Sequence, residues 1–136
     1  MSTVTFTIIG KPCGKGRPRF STAGGYARSY TPAKTIEYEN LVRMEWENSG
    51  AKKLEGVISA VIYAYFPIPK SVSKKKRAAL NGTAYTKKPD CDNIAKIILD
   101  ALNGIAYDDD SQVASLRVKK LYDAEETKVV VELAEV

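Results

Sequence analysis

Eleven residues, Gly56 to Phe66 (GVISAVIYAYF), restrict the fold more than any other stretch of this chain. Ile58, Ala60, Ile62, Ala64 and Phe66 fall on one side of a period-two repeat, and Val61, Tyr63 and Tyr65 on the other. Both faces are therefore apolar or aromatic, as in strands that are covered above and below. The run is expected at the centre of a sheet, and the remaining elements must supply its cover.

Val4, Phe6 and Ile8 alternate with Thr3, Thr5 and Thr7, which predicts a first, half-buried strand. A helix opens at Thr31 or Pro32, carries Tyr38, Leu41 and Val42 on one side, and stops at Gly50. Pro67 and Pro69 end the central strand, and Ser71 to Leu80 (SVSKKKRAAL) predicts a short helix entered at Ser71 or Ser73. From Asp90 or Asp92 to about Leu102, the residues Ile94, Ile97, Ile98, Ala101 and Leu102 recur at helical spacing before Asn103-Gly104 breaks the pattern. Two alternating runs, Gln112 to Tyr122 and Thr127 to Leu133, flank the acidic turn Asp123 to Glu126 and predict an antiparallel hairpin. With no repeat or evident linker, residues 1–136 are expected to form a single α+β domain. Its sheet is small and mixed, its helices pack mainly on one face, and it closes on a C-terminal β-hairpin.

Charge is unevenly placed. The formal net charge is +5 and there is no histidine. Residues 1–36 and 56–89 contain no acid, whereas six Asp crowd the segment from Lys87 to Val113. The absence of histidine excludes a Ser-His-Asp hydrolase, a His-metal nuclease and a His general acid. Gly10, Gly14 and Gly16 lack the Lys-Ser/Thr and helix of a P-loop, so no nucleotide cofactor is expected. Cys13 and Cys91 are far apart and form neither a disulfide framework nor a zinc spacing. No apolar run is long enough to span a bilayer, and the alternating N-terminus lacks the pattern of a secretory signal. A cytoplasmic protein without a membrane partner is expected.

Two basic tracts invite an anionic partner. Between Gly10 and Thr31, Lys11, Lys15, Arg17, Arg19 and Arg28 are interleaved with Phe20, Tyr26 and Tyr30 in a Gly/Pro-rich stretch that predicts a long loop or irregular hairpin. Such a mixture can grip phosphates and stack on bases, or it can be a solvated loop whose aromatics fold onto the core. Lys74, Lys75, Lys76 and Arg77 present the same choice between a phosphate surface and a solvated helix face.

The acidic segment needs its charge offset. Asp90 and Asp92 stand where an extended approach becomes a helix, so both can turn toward one ion, or one can simply cap the helix. Lys96 lies one turn beyond Asp92 and one before Asp100, a spacing that suits i,i+4 ion pairs as well as a Lys reaching a scissile phosphate; for Asp100 the structural role is expected. Asp108, Asp109 and Asp110 are adjacent, and a divalent ion would relieve their repulsion. Mg²⁺ suits a partial carboxylate site that substrate phosphate completes, whereas the calcium-loop ladder is absent. Phosphodiester hydrolysis by metal-activated water is the chemistry left open by this composition.

The residues resemble the RusA-type Holliday junction resolvases, endodeoxyribonucleases of bacteria and their phages. The match is Asp90-Cys91-Asp92-Asn93, Lys96, Asp100-Ala101-Leu102 and Asp109-Asp110-Ser111-Gln112-Val113. It implies a Mg²⁺ cofactor, with Mn²⁺ as a substitute, held by the catalytic acids Asp90, Asp92 and Asp110, with Asp109 beside them and with Lys96 also catalytic. Asp108 leaves the last carboxylate's register ambiguous by one residue. The resemblance also implies a homodimer acting on four-way DNA junctions, with Lys15, Arg17, Arg19, Arg28, Lys74, Lys75, Lys76, Arg77, Lys87 and Lys88 tracking the phosphates. A non-catalytic DNA-binding module and a phage metal nuclease for other branched or single-stranded DNA remain as rival expectations.

Overall fold

The computed structural model describes residues 2–17, 19–25 and 27–136, with Arg19 and Ala23 described by backbone alone. Six strands and three helices follow one another: β1 Thr3–Ile9, β2 Arg19–Ser21, β3 Arg28–Tyr30, α1 Ala33–Asn48, β4 Ile58–Pro67, α2 Lys74–Leu80, α3 Cys91–Leu102, β5 Val113–Asp123 and β6 Lys128–Glu135. The main sheet is mixed and runs β1-β6-β4-β5, while β2 and β3 form a separate two-stranded ribbon inside the basic N-terminal segment.

β4 is central, between β6 and β5. Its Ile58, Ala60, Ile62, Ala64 and Phe66 are fully buried. Val61, Tyr63 and Tyr65 are only half-buried, so the expectation of cover on both faces holds for one face alone. The helices explain the difference. α1 and α3 pack on each other and on the side of the sheet that carries Phe6, Ile8, Val129, Val131 and Leu133.

The C-terminal strands follow each other in opposite directions across the acidic turn, but they are not neighbours. β4 lies between them, parallel to β5 (Ile62 beside Val118) and antiparallel to β6 (Ile62 beside Val131). Alternation specifies which face a side chain takes and is silent about which strand supplies its hydrogen bonds. The expected hairpin pairing is therefore replaced by two ladders made with β4.

α3 is strongly amphipathic: Ile94, Ile97, Ile98, Ala101 and Leu102 are fully buried, each large aliphatic contributing roughly 1.5–3 kcal/mol of transfer free energy. α1 buries Thr35, Tyr38, Glu39, Val42 and Trp46, with Trp46 edge-on to Phe6 at 5.9 Å. α2 starts at Ser73, whose hydroxyl accepts from the Lys76 N–H at 3.2 Å, and buries nothing. No helix among the described residues is long and apolar enough to cross a membrane.

Candidate active site and nucleic-acid interface

The approach to α3 is fixed from the sheet side. Tyr85 stacks on Phe66 with ring centroids 3.8 Å apart, and its hydroxyl donates to the Lys88 carbonyl at 3.3 Å. Lys120 of β5 donates to the carbonyls of Lys87 and Pro89 at 2.7 and 2.9 Å. These contacts deliver Asp90 to the N-cap of α3 in extended conformation, yet its carboxylate makes no capping hydrogen bond. It pairs instead with the exposed Lys88 ammonium at 2.8 Å, a hydrogen bond that holds the Asp90 carboxyl below the usual carboxylate range.

Asp92, in the first turn of α3, is exposed and its carboxylate has neither hydrogen bond nor ion pair among the described residues. Lys96 is likewise exposed, and the i,i+4 pairs with Asp92 and Asp100 that its spacing allowed are not formed. It faces a cleft of about 290 Å³ together with Lys15, Gly16, Arg17 and Asn93.

The basic loop reaches this cleft because two glycines let it lie flat. A Cβ on Gly14 would stand 2.7 Å from Pro89 Cβ and 3.2 Å from Asn93 Cβ, and one on Gly16 would meet Thr35 Oγ1 at 2.6 Å. The Lys15 N–H donates to the Asn93 carbonyl at 3.0 Å and the Gly16 N–H to Thr35 Oγ1 at 3.1 Å. Lys15, expected on the DNA surface, points its ammonium at Glu39 (2.9 Å) and Asp100 (3.2 Å). Burial works against its charged form, but the hydrogen bonds to the two carboxylates outweigh it and hold the ammonium above the ordinary lysine range. Asp100 is thus structural, as expected, though toward a loop 85 positions upstream and not toward Lys96.

At the other end of α3 the three adjacent acids divide their tasks. Asp108 pairs with Lys53 at 2.6 Å. Asp109 caps the 3-10 turn Asp110–Gln112: its carboxylate accepts from the Ser111 N–H at 3.1 Å, and Gln112 Oε1 accepts from the Asp109 N–H at 3.0 Å. Hydrogen bonds from the Ser111 side chain and backbone keep the Asp109 carboxyl below its usual range. Asp110 donates its N–H to Asn103 Oδ1 at 3.1 Å, while its carboxylate is uncommitted among the described residues. The Tyr107 hydroxyl, pushed up by burial and then by Asp110, Asp100 and Asp109, donates to the Leu99 carbonyl at 2.7 Å.

The two groups of acids stand apart. Asp110 is anchored beside the C-cap Asn103, and Asp92 lies eleven residues earlier, about 16 Å of helix rise away. Among the described residues no three acids or thiols are close enough to ligate one ion. The donor chemistry still suits Mg²⁺, which takes one or two carboxylates and completes its shell with water and phosphate.

Of the expected phosphate contacts, Arg17 faces the α3 cleft, Arg28 is exposed on β3, and Lys74, Lys75 and Lys76 are exposed on α2. Arg77 turns inward and donates to the carbonyls of Ile68 and Ala124 at 3.3 and 2.9 Å. Lys87 is exposed and Lys88 is bridged to Asp90. The Arg19 side chain and Tyr26 lie outside the described residues. Sequence reasoning missed Glu39 and Thr35 as anchors of the loop; the Gly14 and Gly16 spacing was the available signal.

The chain is 40% identical over its whole length to the uncharacterized protein YqaN of Bacillus subtilis (strain 168), covering 99% of that protein. A family model described as Endodeoxyribonuclease RusA matches residues 10–134. Since that match takes in the basic loop, α3 with its acids and both C-terminal strands, the chain belongs to the RusA endodeoxyribonuclease family.

Proposed function

We propose that this protein is a Mg²⁺-dependent homodimeric nuclease that resolves four-way DNA junctions by paired nicks, in DNA recombination and repair. The observation that carries the reading is selective. Among the described residues, of the six acids from Asp90 to Asp110, Asp100, Asp108 and Asp109 are engaged by other protein groups and Asp90 only by a surface lysine, while the Asp92 and Asp110 carboxylates are uncommitted. A folded domain has no structural need for two unpaired carboxylates beside a like-charged neighbour. This favours Asp90, Asp92 and Asp110 as ligands and makes Asp109 a cap.

When bound, the ion lowers the pKa of a water and offsets charge on the scissile phosphate. The protein's own part is orientation. Asp90 and Asp92 present hard oxygens at the start of α3, and Lys96, one turn on and free of ion pairs among the described residues, neutralises phosphate charge in the cleft it shares with Arg17. Among the described residues of one chain no three acids or thiols come close enough to ligate one ion, which argues that one chain does not close the ligand set alone. We infer that the two-fold partner supplies its Asp110 to the Asp90–Asp92 pair. Such a dimer also places two matched sites on a junction of two-fold symmetry.

The test compares a synthetic four-way junction, a flap and linear duplex, with Mg²⁺ and with chelator. Preferred, metal-dependent cutting of the junction supports the reading. Equal cutting of the flap would reassign the substrate, and binding without cutting in either condition would leave a DNA-binding module. Asp92→Asn is expected to abolish nicking while retaining junction binding; unchanged nicking would remove Asp92 from the site.

A further inference from the structure

A second cleft, of about 500 Å³, is bordered by Lys87 of the approach to α3 and by none of the six acids from Asp90 to Asp110. It is walled by the β4–α2 connection (Pro67, Ile68, Pro69, Lys70), by Tyr85 and Tyr122, and by the turn between β5 and β6. Building on the nuclease reading above, we propose that this cleft holds one phosphodiester of the cut strand at a fixed offset from the scissile bond.

Four cations line it: Lys11, Lys70, Arg77 and Lys87. None has a carboxylate within ion-pair distance among the described residues. Arg77 is the built part. Its guanidinium is half-buried and oriented by two carbonyl acceptors, Ile68 and Ala124, which fix its plane without neutralising it and leave other N–H donors unspent. The two acids on the wall offset this charge only in part. Asp123 accepts from the N–H groups of Glu126 and Glu125 at 2.9 and 2.8 Å, which keeps it ionised but turned toward the loop backbone, and Glu125 is exposed, so four cations face two acids. The walls are themselves rigid: Tyr122 meets Tyr85 edge-on at 5.0 Å, and Tyr85 is stacked on Phe66.

A fixed, only partly compensated guanidinium flanked by three mobile ammoniums suits a tetrahedral oxyanion that is already part of a polymer. The offset follows from chain length. Lys87 precedes Asp90 by three residues, so at most about 10 Å separates their backbones. A DNA strand advances at least about 3.4 Å per phosphate, which places the held phosphate within about three nucleotides of the cut.

The experiment uses the full chain and junctions carrying one neutral methylphosphonate at successive positions around the cut. Wild-type protein is expected to bind roughly five-fold more weakly when one particular phosphate within about three nucleotides of the scissile one is neutralised. The variant Lys11→Gln/Lys70→Gln alters two exposed side chains, so its melting temperature should match wild type. With Arg77 left in place it should show a clearly smaller penalty at that position and a salt slope shallower by up to about 0.9, one phosphate contact. Equal interference patterns for the two proteins, or no penalised position in either, would overturn the subsite while leaving the nuclease reading intact. Failure of the wild-type chain to bind branched DNA would overturn both.

Discussion

Mixing two inactive variants can decide whether the ligand set crosses between chains. Asp92→Asn and Asp110→Asn each remove one uncommitted carboxylate, and neither carboxylate holds a hydrogen bond or ion pair among the described residues, so both variants should fold. Asp92 stands in the first turn of α3 and Asp110 is held by its N–H against the C-cap Asn103. Among the described residues no three acids or thiols come close enough to ligate one ion, and ligand oxygens must stand about 2.0–2.1 Å from Mg²⁺. If the partner's Asp110 completes the site, a heterodimer of the two variants has one site with both carboxylates and one with neither. Random exchange makes half the dimers mixed, so cutting should return to about a quarter of the wild-type site count. The returning product should be a single nick in one strand of a supercoiled cruciform, not a paired cut, because only one site in each mixed dimer is restored. Each variant alone should be inactive. A mixture as inactive as its components, after exchange has been verified by differently tagged chains, would refute the shared site and require that Asp110 reach Asp92 within its own chain.

Four further outcomes follow from side-chain placement. Lys96→Ala should lower single-turnover cleavage by at least tenfold with little change in melting temperature, since Lys96 pairs with nothing among the described residues; normal turnover would make it a solvated helix residue. Gly14→Ala drives a methyl to 2.7 Å from Pro89 Cβ and should cost about 1–3 kcal/mol in denaturant unfolding, with weaker junction binding as the loop lifts. Tyr38→Phe should leave stability unchanged or raise it by up to about 1 kcal/mol, because the buried Tyr38 hydroxyl has no partner among the described residues and removal ends a desolvation cost. Glu135 accepts from the N–H groups of Glu55 and Ser2, which lower its pKa; a depressed carboxylate adds stability above its unfolded value and loses it as pH falls through the folded one. Glu135→Gln should therefore narrow the gap from wild type as thermal melts are taken from neutral to below about pH 4, and a constant gap would refute the assignment.

The pattern of apolar residues made β4 and α3 readable, because burial on one helix face or along one strand leaves a periodic trace in the sequence itself. Pairing leaves none. That β4 would separate β5 from β6 depends on contacts between segments tens of residues apart, and alternation in β5 and β6 is equally satisfied by a hairpin. The site divides in the same way. The family spacing singled out Asp90, Asp92, Lys96 and Asp110, and the Asp109–Gln112 cap gives Asp109 a structural task among the three adjacent acids. The partner of Asp100 was not legible, since Lys15 reaches it across the fold while Lys96 is its neighbour on the helix. Glu39 gave no signal either: one of four glutamates in a mixed helix reads as surface until a half-buried ammonium is found beside it.

The position of β4 also sets an order of assembly. Its two partners are made last: Ile58 to Pro67 pairs with residues 113–123 on one edge and 128–135 on the other, and β1 waits for β6 with Thr3 beside Ala134. During synthesis the most apolar strand of the chain therefore emerges with both edges open, and no local hairpin can shield it. Contacts of such long sequence separation slow folding and expose the nascent strand to other copies. The lysine-rich stretch that follows β4, Lys70 and Lys74 to Arg77, emerges directly behind it and supplies like charge between neighbouring nascent chains, the placement expected of a guard against association.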